Sequence, residues 1–493
     1  MISKAEDGFY HPTTEAEICE LVKHAAEQGL KVRVRGSGHS VQSAIYTGDF
    51  KSPPRDDPNI NIYLDNMISV CFDYEHKQVT AEAGCHLGKD PTDPTSTIKN
   101  SLLYQIDCKG WALSDTGGII HQTVGGFMLS GSSGGSLSDS VAWQIVAIRA
   151  VDGLGNIHDF RKTDDLNNPF YGMGVSMGLL GIITSVTFQC VDRYDIIGVE
   201  TTSSLKECAI DLFGPGGNDK PSLDGYFRDI QYSRLLWYPQ EGVGKVVVWE
   251  AHKLDKTPEN FKPKHYHLFP SILGSELPAQ IFASTMFKLF DILNPPEPTS
   301  KLGKLGRQIL KPFYSLIVNY FLASAVLAPQ QFQDVWWQGL PMDNNVNYKL
   351  MPTQFTELWL PLSTAADVMQ ELRLAYEEGG FNATGTHTCE IYMSASNNFW
   401  MSPSYQQDVI RVDPFWFGKN RGNPNEVYYP MYWERLKKFN YRLHWGKALS
   451  GDVGYLKAQY PRWDDFMSLR EHMDPHQVFV TDYWRRNLGI DAD

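Results

Sequence analysis

Ile18, Leu21, Val22 and Ala25 recur at helical spacing and fall on one face of a helix that starts in the threonine- and glutamate-rich step at 13–17. Gly29 stops that helix, and the alternating run KVRVR (31–35) reads as a strand ending at Gly36. Residues 60–84 are strand-rich. A glycine-rich segment at 117–135 precedes a hairpin with arms IVAIRAV and NIHDF, its turn signalled by DGLGN at 152–156. The run MGLLGIITSVTF (177–188) reads as a helix end passing into a strand. Beyond residue 196 the pattern gives strands at GKVVVWEAHK, FTELWLPL and CEIYMSA, and amphipathic helices at AADVMQELRLAYEEG and WDDFMSLREHM. The proline-rich stretch 295–299 marks a loop, and no internal repeat is visible.

One apolar stretch, Phe313 to Ala328, imitates a membrane span. It is interrupted by Ser315, Asn319 and Ser324 and falls short of the roughly 20 residues a bilayer requires. A buried or partly buried helix is the expectation, and membrane contact is not expected.

Composition narrows the picture. A chain of 493 residues suits two or three domains. With 42% hydrophobic and 20% charged residues it is globular, not disordered. Its net charge of −13 repels phosphate backbones, so nucleic acid is not an expected partner. Seven cysteines stand singly, with no CxxC pair and no zinc spacing, so neither a disulfide framework nor a metal site is expected. The opening MISKAEDGFYHPTT has no apolar core of a secretory signal, and with free thiols this favours the cytoplasm.

Three segments carry candidate chemistry. The first is Arg35, Gly36, Ser37, Gly38, His39 and Ser40, where glycines after a strand let the backbone approach a ligand closely. Val41 stands where a dinucleotide fingerprint needs its third glycine, and no clear helix follows, so a Rossmann unit is disfavoured. Alone, the segment also fits a tight turn with an incidental histidine. The second runs from 117 to 136 and has seven glycines among twenty residues. Consecutive backbone amides there suit an anion such as pyrophosphate, and the apolar Ile119, Ile120, Val124, Phe127 and Met128 argue against a linker. The third, RLHWGK at 442–447, puts an imidazole, an indole and an ammonium within four residues. It fits either a flavin-facing loop or a surface loop with a packed Trp445.

RGSGHS, HQTVGG…SGSSGGS, MGLLGIITSVTF and the late HWGK occur here in the order in which one family carries them. The chain resembles the vanillyl-alcohol-oxidase-like (PCMH-type) FAD-linked oxidases, in their aldonolactone and alditol oxidase branch. FTELWLPLSTAADVMQEL and the ending FMSLREHMDPHQVFVTDYWRRNLG extend the match over nearly the whole chain, apart from about 255–330.

The resemblance implies a two-domain α+β flavoprotein. An FAD-binding domain at 8–195 would be followed by a substrate domain at 196–490 whose carboxyl-terminal segment completes the flavin site. Besides 35–40, the implied cofactor contacts are Gln122, Thr123, Val124, Gly125, Gly126, Ser130, Gly131, Ser132, Gly134, Gly135, Gly181, Ile182 and Ile183. His39 would be bonded to the flavin, a task that suits a neutral imidazole near pH 7. Relatives with a second link carry a cysteine before the TVGG turn; Ile120, His121 and Gln122 stand there, so a single link is expected. The implied reaction oxidises a hydroxyl carbon of a polyol, sugar or aldonolactone by hydride transfer, with O2 as acceptor. Glu390 would orient the hydroxyl, His444 handle its proton, and Lys447 stabilise the reduced flavin. The family's Glu-x-Arg substrate pair is Glu390 and Tyr392 here, and tyrosine offers one donor where arginine offers a charged fork. Arg411 and Asp413 are candidates to supply the missing polarity. A flavin dehydrogenase, a berberine-bridge-like oxidase of a larger metabolite and a non-catalytic flavin protein are the alternatives.

Overall fold

The computed structural model describes residues 2–240, 242–271, 274–293, 329–384 and 387–491, with 305, 306, 308, 309, 312, 313, 315 and 316. The proline-rich stretch 295–299 lies outside these residues, and so does 313–328 except for Phe313, Ser315 and Leu316.

The first helix, Glu15–Gln28, begins on a capping box. The Thr14 hydroxyl accepts from the Glu17 amide while the Glu17 carboxylate accepts from Thr14, and Gly29 closes the helix at φ 67°. Ile18, Leu21, Val22 and Ala25 are fully buried, and burying a large aliphatic side chain contributes about 1.5–3 kcal/mol. The chain then lays down β1 (Val32–Arg35), β2 (Ile60–Tyr63), β3 (Val70–Asp73), β4 (Gln78–Glu82), β5 (Trp111–Ala112), β6 (Ile145–Val151), β7 (Ile157–Arg161), β8 (Ile182–Gln189) and β9 (Val191–Asp192). β1 and β2 pair in parallel, β5 pairs with β9, and the others form a sheet in the order β3-β4-β8-β6-β7.

The expected helix end at 177–181 is a turn. The preceding helix, Pro169–Met173, has already stopped, because Met177, Gly178 and Gly181 take positive φ, which an α-helix excludes. β8 begins immediately afterwards.

The second half supplies β10 (Asp195–Ser204), β11 (Tyr232–Tyr238), β12 (Lys245–Lys253), β13 (Gln330–Val335), β14 (Thr353–Phe355), β15 (Leu358–Pro361), β16 (Cys389–Ser394), β17 (Val409–Phe417) and β18 (Arg442–Leu443). These make a nine-stranded antiparallel sheet in the order β13-β10-β12-β11-β16-β17-β15-β18, with β14 on β17. The strand expected at 355–362 is split at Thr356 and Glu357. Their polar groups turn to the HWGK loop: Thr356 Oγ1 donates to the Ala448 carbonyl, and the Glu357 carbonyl accepts from the His444 amide.

One core cluster runs through both halves. The carboxyl-terminal segment returns to the first: the Val32 amide donates to the Val478 carbonyl, and Trp484 Nε1 donates to the Ala44 carbonyl at 3.1 Å.

Candidate active site

A cavity of about 1150 Å³ lies between the 36–40 and 117–133 loops and one face of the nine-stranded sheet. Gly36, Ser37, Gly38, His39, Ser40, Gln122, Thr123, Gly126, Ser130 and Ser132 line it, and so do Glu390, Tyr392, Arg411, Asp413, His444 and Lys447. Two segments more than 400 residues apart thus share one wall, and Lys447 Nζ reaches the His39 carbonyl at 3.4 Å. Arg35, Gly125, Gly181, Ile182 and Ile183 line an adjoining crevice of about 50 Å³.

Four of the expected cofactor contacts go elsewhere. Val124 is fully buried in the core, at the start of a short helix, Val124–Leu129, that Thr123 caps. That helix turns the middle of the glycine-rich run into regular structure, with the Val124 and Gly125 amides spent on Cys85 and Ala83 carbonyls. Gly131 makes a left-handed turn against Pro403 and Val175, while Gly134 and Gly135 face protein backbone. A Cβ at Gly134 would sit 2.2 Å from the Thr116 carbonyl oxygen, and one at Gly135 2.4 Å from that of Ser233. These glycines serve close packing of the loop on the sheet, not ligand approach.

His39 is half-buried on the cavity wall, its ring 5.7 Å from that of His121 and 5.5 Å from that of Tyr348. Burial, reinforced by the Lys447 ammonium, pushes the His39 imidazole down to about 3, so it is neutral at pH 7. The loop is pinned from behind: Ser37 Oγ donates to the His121 carbonyl at 2.6 Å, and His86 bridges that same carbonyl to Asp93.

On the sheet, Glu390 faces Asp413 across β16 and β17, and Tyr392 stands between Arg234 on β11 and Arg411 on β17. Burial and the neighbouring Asp343 charge push the Glu390 carboxyl up to about 8, and burial raises Asp413 well above the carboxylate range. Arg411 is not free to read a ligand. Its Nε and Nη2 bond Glu357, at 2.9 and 2.6 Å, and Nη1 donates to the Ser133 and Gly134 carbonyls. Its guanidinium is stacked between the Trp359 and Tyr392 rings. The expectation that Arg411 replaces the missing arginine is therefore corrected: it braces the glycine loop and Glu357.

His444 Nδ1 accepts from the Gly446 amide at 3.1 Å, which places the ring hydrogen on Nε2. Burial pushes this imidazole down to about 4, so it presents a neutral N–H donor. Lys447 packs over the Phe355 ring at 4.3 Å, its ammonium lowered by burial and supported by the Glu357 charge. The surface-loop alternative for HWGK is excluded.

Comparison with known proteins gives the geometry a family. The D-arabinono-1,4-lactone oxidase family model matches residues 186–487, well over half of the chain, and an FAD binding domain model matches 7–90. The chain belongs to the D-arabinono-1,4-lactone oxidase family. It is similar to L-gulonolactone oxidase of Mus musculus, 26% identical, with 96% of this chain and 93% of that protein covered. It is also similar to L-gulono-1,4-lactone dehydrogenase of Mycobacterium tuberculosis, 22% identical, covering 98% and 96%. Cholesterol oxidase from Brevibacterium sterolicum shares the fold, with a TM-score of 0.72 at 14% identity over 97% of this chain and 93% of that one.

As a member of this family the chain binds FAD, and its residues fit that group. The amides of residues 37–40 donate to no acceptor among the described residues. Buried Gln122 Oε1 has no partner among the described residues. Arg33 lines the same cavity; its four terminal N–H donors are spent on the Ala44, Met177, Gly178 and Phe479 carbonyls and it meets no carboxylate among the described residues, so it lends the wall positive charge but no free terminal donor. Sequence reasoning missed Arg33, His86, Arg234, Asp343 and Glu357. Arg33 carried a misleading signal: alternation with Val32 and Val34 assigns it to the polar face of β1, yet it is buried. The other four carried none, since each gains its role from a partner distant in the chain.

Proposed function

We propose that this protein is an FAD-dependent oxidase of an aldonolactone or a similarly hydroxylated small molecule, with FAD bonded through His39. The observation that carries the reading is the shared wall. A loop bearing a neutral imidazole and free amides meets Glu390, His444 and a half-buried Lys447 in one cavity. The relatives named for L-gulonolactone and D-arabinono-1,4-lactone oxidation support the substrate class. When bound, FAD supplies a two-electron acceptor for the substrate's hydride, re-oxidised by O2 to give peroxide.

The protein's own groups supply the rest. Glu390, on a rigid strand, orients the reacting hydroxyl and in its ionised form accepts its proton. His444 Nε2–H donates a hydrogen bond into the cavity and does not act as base, because the Nδ1 lone pair is engaged and the ring resists protonation. Lys447 provides positive charge in a water-poor wall, where it acts more strongly than in solvent. We place the enzyme in the cytoplasm.

Purified protein should be tested with L-gulono-1,4-lactone, D-arabinono-1,4-lactone and simple polyols, reading anaerobic flavin bleaching and aerobic peroxide. Bleaching with peroxide release is expected. Bleaching without peroxide moves the assignment to a dehydrogenase, and no bleaching by any of them overturns the reading.

A further inference from the structure

Two carboxylates on the cavity wall accept hydrogen bonds from one guanidinium behind it, and a third acidic side chain of the wall, Glu200, pairs with the same group at 3.9 Å. Arg234 Nη1 donates to Asp343 Oδ1 at 2.6 Å and to Glu390 Oε1 at 3.5 Å, and its Nη2 donates to the Tyr266 hydroxyl at 3.0 Å. Arg234 is only 1% exposed and does not line the cavity, whereas Asp343 and Glu390 both do. Asp343 is anchored through its backbone as well, its amide donating to the Gly118 carbonyl at 2.9 Å.

Asp343 and Glu390 each have one oxygen tied to Arg234 and one with no hydrogen bond among the described residues. Asp343 Oδ2 and the Tyr392 hydroxyl both border Gly118, where a Cβ would stand 3.3 Å from the first and 3.0 Å from the second. Among the described residues that hydroxyl has only the Met342 sulfur as partner, at 4.0 Å. Of the two arginines flanking Tyr392, Arg411 gives its donors to Glu357 and two loop carbonyls, while Arg234, whose Nε has no partner among the described residues, lies behind the wall and does not reach the cavity. At this point the wall therefore offers a ligand two carboxylate oxygens and a phenol, and no guanidinium.

We infer that Asp343 reads a substrate hydroxyl, and that with Glu390 it takes two neighbouring hydroxyls of a diol while Arg234 positions the pair. The inference rests on the oxidase reading. Because one oxygen of each carboxylate is tied to a single nitrogen, the two free oxygens are presented on the same part of the wall, where adjacent hydroxyls of a diol can meet them. A group that only accepts hydrogen bonds would leave Asp343 unpaired and is selected against.

The test uses whichever lactone or polyol the wild type oxidises, together with its monodeoxy analogues that remain substrates. Asp343→Asn should raise KM for the parent at least tenfold and change kcat much less, the scale of one lost hydrogen bond to a charged group. On a single deoxy analogue, the one lacking the hydroxyl that Asp343 takes, the variant and the wild type should perform alike. An unchanged KM, or an equal loss on parent and every analogue, overturns the inference. Because Asp343→Asn leaves Arg234 short of a partner, Asp343→Glu is made beside it. That variant retains a carboxylate for Arg234 but shifts its oxygens by one methylene, and should keep normal flavin content while raising KM at least fivefold. A wild-type KM there also overturns it. If the wild type itself bleaches with no lactone or polyol, the failure belongs to the oxidase reading and not to Asp343.

Discussion

Replacing Arg411 by Met separates a brace from a ligand-reading group. The guanidinium makes its bonds to Glu357 at 2.9 and 2.6 Å and to the Ser133 carbonyl at 3.0 Å, and its carbon lies 4.6 Å from the Trp359 ring and 4.7 Å from the Tyr392 ring. Removing one partner of a buried ion pair costs about 3–5 kcal/mol, because the other charge is left unpaired. Each stacked ring adds roughly 0.5–2 kcal/mol, which methionine recovers in part through its own packing. Arg411→Met should therefore destabilise by about 3–5 kcal/mol, read as a lower urea midpoint at unchanged slope. The pH dependence follows from Glu357. Despite burial, Arg411 holds its carboxyl below the usual range, so its contribution is present above the ordinary carboxyl pKa and lost as pH falls through the folded value. The gap between wild type and variant should close below about pH 4. The double variant Arg411→Met/Glu357→Leu should regain much of the loss, since it removes the stranded charge. A variant with a wild-type midpoint but a KM raised a hundredfold would refute the brace and restore Arg411 as a reader of substrate.

Four further outcomes are expected. Lys447→Met should retain FAD yet slow anaerobic flavin reduction at least tenfold, since losing one such donor costs about 2.7–4 kcal/mol; reduction at the wild-type rate removes Lys447 from the site. Wild-type yellow colour should stay with the acid-precipitated pellet and be lost from it in His39→Ala, with mass spectrometry finding one flavin-bearing peptide; flavin released from wild type, or an adduct on a cysteine, refutes the single link. With the Glu390 carboxyl at about 8, kcat/KM should rise as pH increases through that value, and Glu390→Gln should abolish that limb along with most activity; a profile flat from pH 6 to 9 denies Glu390 the proton. Among the described residues no helix is long and apolar enough to cross a membrane, and most of the protein should remain in the supernatant with liposomes at physiological salt; co-sedimentation reverses this.

What the sequence yields about the fold follows from how local the deciding physics is. The first helix was legible because its cap, apolar face and terminating Gly29 lie within seventeen residues. The 145–161 hairpin was legible because its turn chemistry sits between its arms. The pattern failed where a tertiary demand overrode it. At 177–181 apolar residues imitate a helix, but positive φ at Met177, Gly178 and Gly181 turns the chain into β8. At 355–362 a continuous apolar run is cut because Thr356 and Glu357 are needed by the HWGK loop.

The site divides along the same line. Residues whose chemistry is written in a contiguous motif, His39 and Lys447 among them, were identifiable, and the cavity brings them together. Residues defined by a cross-strand neighbour were not. Nothing near position 234 in the sequence says that its guanidinium will lie beside residue 392, because that depends on the register of β11 against β16. The same register explains why counting arginines in a motif misleads here. Tyr392 marks a lost donor, and two arginines do flank it in space. Arg411 is spent on Glu357 and two loop carbonyls, and Arg234, bonded to Asp343, Glu390 and Tyr266, is buried behind the wall where its remaining donor cannot reach a ligand. A guanidinium has five donors in fixed directions. Whether one reads a ligand depends on how many of them the fold has already claimed, and that is decided by the strand pairing, not by proximity to the motif.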